Sequence, residues 1–300
     1  MNSLKKKWLD ALGAPSYSTK HGDSTLVSKF STDEFDAEWY RQENGDGKHQ
    51  RVLMLFPKSL TAPAPAIAIP FYFPEALLAF DHATGKKLEY YEGLEMMLHL
   101  VRRGYVVISA DAYHLNYIES DKDISDFTRW QDAANALRAD HPNYSGVGKL
   151  VDDTRLIIDI LDNDSRVDSS KIGIAGHSLG GKMAFYTGCL DERVKVILAS
   201  DFGIGWHQTN WHNDWYWGKD AERLETEGFD HSELLTVAQK PFCLIAGHYD
   251  TDESLEIILR ADGYTKDSEK LKFINHATGH RPPMWTLEEG YNFLDKWLKN

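Results

Sequence analysis

Ser178, Asp250 and His280 have the side-chain types and the chain order that acyl-transfer chemistry requires. A serine hydroxyl is a weak nucleophile at neutral pH. It needs a base within hydrogen-bond reach, and the base needs a carboxylate to fix its tautomer and stabilise the imidazolium. Ser178 stands in Gly176-His-Ser-Leu-Gly180, with a further glycine at 181. The apolar run IGIAG (172–176) precedes it and the helix-like LGGKMAFYTG follows. A G-x-S-x-G pattern at such a junction makes a sharp turn that lifts the serine clear, at a helix N-terminus where developing negative charge is favoured. Ser178 is therefore the expected nucleophile. Neither the dinucleotide fingerprint nor the phosphate-loop ending is found, which weakens a nucleotide-binding reading.

In this strand–turn–helix setting the acid and the histidine follow the serine in the chain. FCLIAGHYDTDES offers Asp250, three residues past Gly247, as the expected acid, and Asp252 as the cap of the next helix. A rival acid, Asp201, ends the earlier strand-like run VKVILASDFG, and spacing does not choose between the two. FINHATGHRPPMW offers His276 and His280; His280, in the loop between Gly279 and Arg281, is the expected base, and His276 is expected to pack near the strand. The oxyanion donors are expected to be the Leu179 N–H and one from the stretch after AIAIPFYF. Tyr72 is the choice there, with Phe73 next and the Tyr72 hydroxyl as a further donor.

The elements that must position these groups are visible as patterns. Residues 38–59 read as a hairpin around the turn signal NGDG. AIAIPFYF, YVVISA, IGIAG, VKVILAS, FCLIAG and LKFIN are short apolar runs that suit buried strands. Leu94, Met97, Leu98 and Val101 share one helical face, as do Val147, Leu150, Val151, Thr154, Ile158 and Leu161. Thr286-Leu-Glu-Glu289 reads as a capping box opening the last helix. Strand–helix alternation of this kind implies an α/β fold, with a mostly parallel central sheet covered by helices on both faces. One domain over residues 1–300 is expected, with residues 1–30 as an N-terminal appendage and residues 201–238 as a small insertion long enough to form a cap.

The formal net charge of −13 argues against nucleic acid or an anionic membrane as a partner. Two cysteines, Cys189 and Cys243, are too few for a disulfide framework and suit buried apolar positions. The N-terminus has no apolar core after its lysines, and no apolar run approaches about 20 residues, so a cytoplasmic location is expected. GWHQTNWHNDWYWG (205–218) supplies Trp206, Trp211 and Trp215, whose faces could stack on a substrate ring or pack a cap against the core. The spacing of His207, His212 and Asp214 fits no tight metal-ligand pattern, and neither a metal nor a cofactor is expected.

The stretches GHSLGGKMAFY, ASDFGIGW, GHYD and NHATGHRPP resemble the α/β-hydrolase superfamily, and within it the dienelactone-hydrolase-like and acetylxylan-esterase-like branch. The resemblance spans roughly residues 50–300. It implies a serine hydrolase without a metal, acting on ester substrates, often plant-polysaccharide decorations. Dienelactone hydrolases use a cysteine where this chain has Ser178, so dienelactone itself is not an expected substrate. The expected function is carboxylic ester hydrolysis through an acyl-enzyme, on a small-molecule or saccharide ester. The alternatives are a serine peptidase or acyltransferase using the same triad, and a catalytically silent binding protein.

Overall fold

The computed structural model describes residues 3–17, 23–60, 63–124 and 126–300. Its strands, in chain order, are β1 (Ser24–Ser31), β2 (Phe35–Gly45), β3 (Lys48–Pro57), β4 (Ala64–Ala68), β5 (Phe80–Asp81), β6 (Lys86–Lys87), β7 (Val106–Ala110), β8 (Val167–His177), β9 (Val194–Ser200), β10 (Phe242–Ala246) and β11 (Leu271–Asn275). The α-helices are α1 (Ser3–Leu12), α2 (Met96–Arg102), α3 (Phe127–Asp140), α4 (Gly146–Asn163), α5 (Leu179–Leu190), α6 (Asp220–Thr226), α7 (Ser232–Ala238), α8 (Asp252–Ile258) and α9 (Met284–Leu298).

Nine strands form one sheet in the order β1-β2-β3-β7-β4-β8-β9-β10-β11, and β5 and β6 make a separate small hairpin. The pairs β1–β2, β2–β3 and β3–β7 are antiparallel; from β7 to β11 every pairing is parallel. The two-residue period of a strand divides its side chains between two cores. Val52, Met54 and Phe56 of β3 join the core on the α4 and α5 side, whereas Leu53 and Leu55 join the core on the α2 and α9 side. Central strands buried on both faces must be apolar throughout, which is why their sequences read as short continuous runs.

The expected hairpin turn falls at Asp46 and Gly47, both at positive φ. The expected helical stripe from Val147 to Leu161 is α4, opened by Ser145, whose hydroxyl accepts the Gly148 N–H. The last helix opens earlier than its pattern suggests. Pro283 precedes its first turn, and Thr286 lies inside it, donating its hydroxyl to the Pro283 carbonyl rather than capping.

The N-terminal stretch is no appendage. Residues 1, 2 and 18–22 lie outside the described residues, but α1 drives the fully buried Trp8 against Tyr186, Trp206, Phe229 and His231, and β1 forms the sheet edge. The helix is polar on average, with Trp8 and Leu12 as its buried residues, so no apolar run marks it out in the sequence. The 201–238 segment lies after β9 as turns followed by α6 and α7, with its tryptophans turned into the core. Among the described residues no helix is long and apolar enough to cross a membrane.

Candidate active site

β8 ends at His177 and α5 begins at Leu179, leaving Ser178 as the single residue of the turn. Its backbone sits at φ +57 and ψ −119, a region that costs free energy for any residue with a Cβ and persists only where its surroundings impose it. Its N–H donates to the Ser200 carbonyl at 2.8 Å, tying the turn to the end of β9. The flanking glycines answer close approaches of backbone. A Cβ on Gly176 would lie 2.1 Å from the Gly180 carbonyl oxygen, and one on Gly180 would lie 2.1 Å from the Pro70 oxygen.

His280 reaches the serine from the loop after β11. Its Nε2 is 2.9 Å from Ser178 Oγ, and its Nδ1 is 2.6 Å from Asp201 Oδ2. An ionised carboxylate can only accept, so the network assigns the ring proton to Nδ1 and leaves Nε2 to accept from the serine hydroxyl. Tyr249 meets the imidazole edge-on at 4.8 Å, and the buried His177 lies 4.6 Å away on another side. Burial pulls His177 down to about 3, so it is neutral beside His280.

The carboxylate in contact with His280 is Asp201, not Asp250. Asp201 follows β9 at φ +41, and its Oδ1 accepts the N–H groups of Gly247, His248, Tyr249 and Asp250 at 2.8–3.1 Å. Burial pushes its pKa up, but the His280 bond and these N–H donors outweigh burial and hold it below the usual carboxylate value. Asp250 is turned the other way. Its carboxylate accepts the N–H groups of Phe202, Gly203 and Ile204 and the Ser254 hydroxyl, and burial raises its pKa. Each acid thus caps the loop that carries the other. The adjacent parallel strands β9 and β10 end side by side, and only the direction of each side chain decides which carboxylate meets the histidine.

Asp252 is the first residue of α8, exposed, with Thr251 as the cap. His276 is held by Thr278, with Nδ1 and Oγ1 2.7 Å apart, away from the serine. Leu179 opens α5, so its N–H has no acceptor within the helix. Tyr72 is near enough for Ser178 to lower its phenol pKa, while burial, the larger effect, raises it. Its carbonyl accepts the Ala112 N–H at 3.0 Å.

Trp206 and Trp211 are buried, and each spends its indole N–H on a backbone carbonyl, of Phe229 and Gly203 respectively. Both face the Trp8–His231 aromatic cluster rather than the serine. Trp215 differs: it packs on Trp130 and stacks on the exposed Phe127, and Trp130 in turn packs on Tyr72. His207 pairs with Glu225, while Asp214 pairs with Arg138. Cys189 and Cys243 are buried free thiols. Tyr249, His177 and Lys182 were not singled out from sequence. The one signal available was Lys182, a charged residue inside the otherwise apolar stretch GGKMAFYTG.

Ser178, His280 and Asp201 thus converge at the carboxyl ends of parallel strands. The fold is that of the α/β-hydrolases. It superposes on a glucuronoyl esterase from Solibacter usitatus with a TM-score of 0.72, covering 97% of this chain and 90% of that one at 12% identity. An acetyl xylan esterase from Paenibacillus sp. R4 gives a TM-score of 0.63, with 93% and 89% covered at 14% identity. Residues 75–203, which include Ser178 and Asp201, match the dienelactone hydrolase family. The chain is also 25% identical over 171 residues to YtaP of Bacillus subtilis (strain 168), which bears only the general name of a hydrolase. That match covers 50% of this chain, which spans about half the length of the relative, 54%.

Proposed function

We propose that this α/β-hydrolase is a serine carboxylic ester hydrolase, with Ser178 as nucleophile, His280 as base and Asp201 as acid. The observation that carries the reading is the unbroken hydrogen-bond chain from Ser178 Oγ through both nitrogens of His280 to a buried carboxylate held by four backbone N–H groups. Ser178 Oγ attacks the ester carbonyl while His280 Nε2 takes its proton. The Leu179 N–H and the Tyr72 phenol receive the oxyanion, a geometry that supports negative charge where it develops. Collapse expels the alcohol, which takes its proton from His280. Water then repeats the sequence on the acyl-enzyme.

The match to the dienelactone hydrolase family and the fold neighbours named for glucuronoyl and acetyl xylan esters favour small-molecule or carbohydrate-linked esters as substrates. The exposed Phe127, backed by the buried Trp215 and Trp130 that lead to Tyr72, offers surface for a substrate ring and replaces Trp206 and Trp211 in that role. Phenylmethylsulfonyl fluoride is expected to label Ser178, and p-nitrophenyl acetate turnover is expected to vanish in Ser178→Ala. Turnover that survives in the alanine variant removes the mechanism. A panel of acetylated sugars, feruloyl and glucuronoyl esters ranks the substrate classes.

A further inference from the structure

Lys182 lies in the first turn of α5, four residues after the nucleophile, and is buried. Among the described residues no carboxylate pairs with it. Its Nζ donates to the Phe202 carbonyl at 2.7 Å and to Thr209 Oγ1 at 3.2 Å, and lies over the rings of Trp211 and Tyr216. Burying an ammonium without a direct counter-ion is costly. Burial accordingly pulls its pKa down to about 7, against the opposing pull of Asp250 and Asp201. A group retained at that cost, in contact with a catalytic loop, invites a positioning role.

The loop it grips begins with Asp201, whose φ of +41 is a strained conformation for a residue with a Cβ. The next three residues are held from two sides. Asp250 accepts the N–H groups of Phe202, Gly203 and Ile204, and Lys182 donates to the Phe202 carbonyl. We propose that Lys182 and Asp250 form a paired positioning device, a buried cation on the nucleophile helix and a buried anion after β10, that fixes Asp201 against His280 Nδ1. The inference rests on the reading of Asp201 as the acid of the triad. Neither residue of the pair needs to touch substrate. Loosening it should let the Asp201 carboxylate drift, and a shift of about 1 Å in a catalytic group can cost on the order of 100-fold in rate.

The test is kcat and KM for p-nitrophenyl acetate in the wild type and in Ser178→Ala, Asp201→Asn, Lys182→Met, Asp250→Asn and Thr209→Val, with thermal melts to confirm folding. Expected are kcat losses of about 30- to 100-fold in Lys182→Met and Asp250→Asn, with KM within about two-fold of wild type. Thr209→Val, a half-buried site whose change removes one acceptor of the ammonium, should lower kcat about three-fold. Should Lys182→Met or Asp250→Asn fail to fold, Thr209→Val decides: wild-type kcat there overturns the proposal. Wild-type kcat in folded Lys182→Met, or a raised KM at unchanged kcat, also overturns it, the latter in favour of substrate contact. Turnover surviving in Ser178→Ala, or near-wild-type kcat in Asp201→Asn, instead defeats the triad reading on which the pair depends.

Discussion

At the scale of single residues, the division of labour between Asp201 and Asp250 separates what spacing encodes from what direction encodes. Ser178 and His280 were legible because each is set by a local pattern: a glycine-flanked turn after a buried strand, and a loop histidine after the last strand. The carboxylate that meets His280 was not, because two carboxylates stand at the ends of neighbouring parallel strands and each serves the other's loop. The positive φ at Asp201, which swings its side chain toward His280, has no signature in ASDFG. Asp201→Asn should lower kcat by about 1,000-fold or more, since the amide cannot hold the required tautomer. Asp250→Asn should fall well short of that, and equal losses would argue against the assignment. Gly180→Ala should destabilise the protein by about 3 kcal/mol, because the new Cβ meets the Pro70 carbonyl backbone, which cannot yield as a side-chain tip would. Chemical denaturation with a near-wild-type midpoint would contradict that.

Among the elements, those buried on both faces were readable from short apolar runs; β9 and β10 fall where VKVILAS and FCLIAG place them. Elements held by a few large anchors were not. α1 shows three consecutive lysines and one tryptophan, yet Trp8 is enclosed by Tyr186, Trp206, Phe229 and His231 and donates its indole N–H to Glu233 at 3.0 Å. Trp206 belongs to the same cluster, so a binding reading of its ring gives way to packing. Trp8→Ala and Trp206→Ala should each cost about 3–5 kcal/mol of unfolding free energy with KM unchanged. A raised KM at unchanged stability in Trp206→Ala would restore that residue to the substrate side.

For the molecule as a whole, burial sets the response to acid. His114, His177 and His231 are fully enclosed, and burial pulls each down to about 3. Unfolded, each takes up a proton near pH 6.5. Between those values the unfolded state binds up to three more protons than the folded one, so stability rises with pH there. The contribution is fully present above about pH 6.5 and is lost as pH falls toward 3. The midpoint of urea unfolding should therefore drop steeply between pH 6.5 and pH 5, and a flat midpoint over that range would contradict it.

The role of Ser178 is open to one decisive measurement: mass spectrometry of the protein quenched in acid during p-nitrophenyl acetate turnover. An acetyl group should appear on the peptide carrying Ser178 and should be absent, along with turnover, in Ser178→Ala. Steady turnover with no acyl group on that peptide, or an acyl group on another residue of an active protein, would contradict a serine acyl-enzyme at this site.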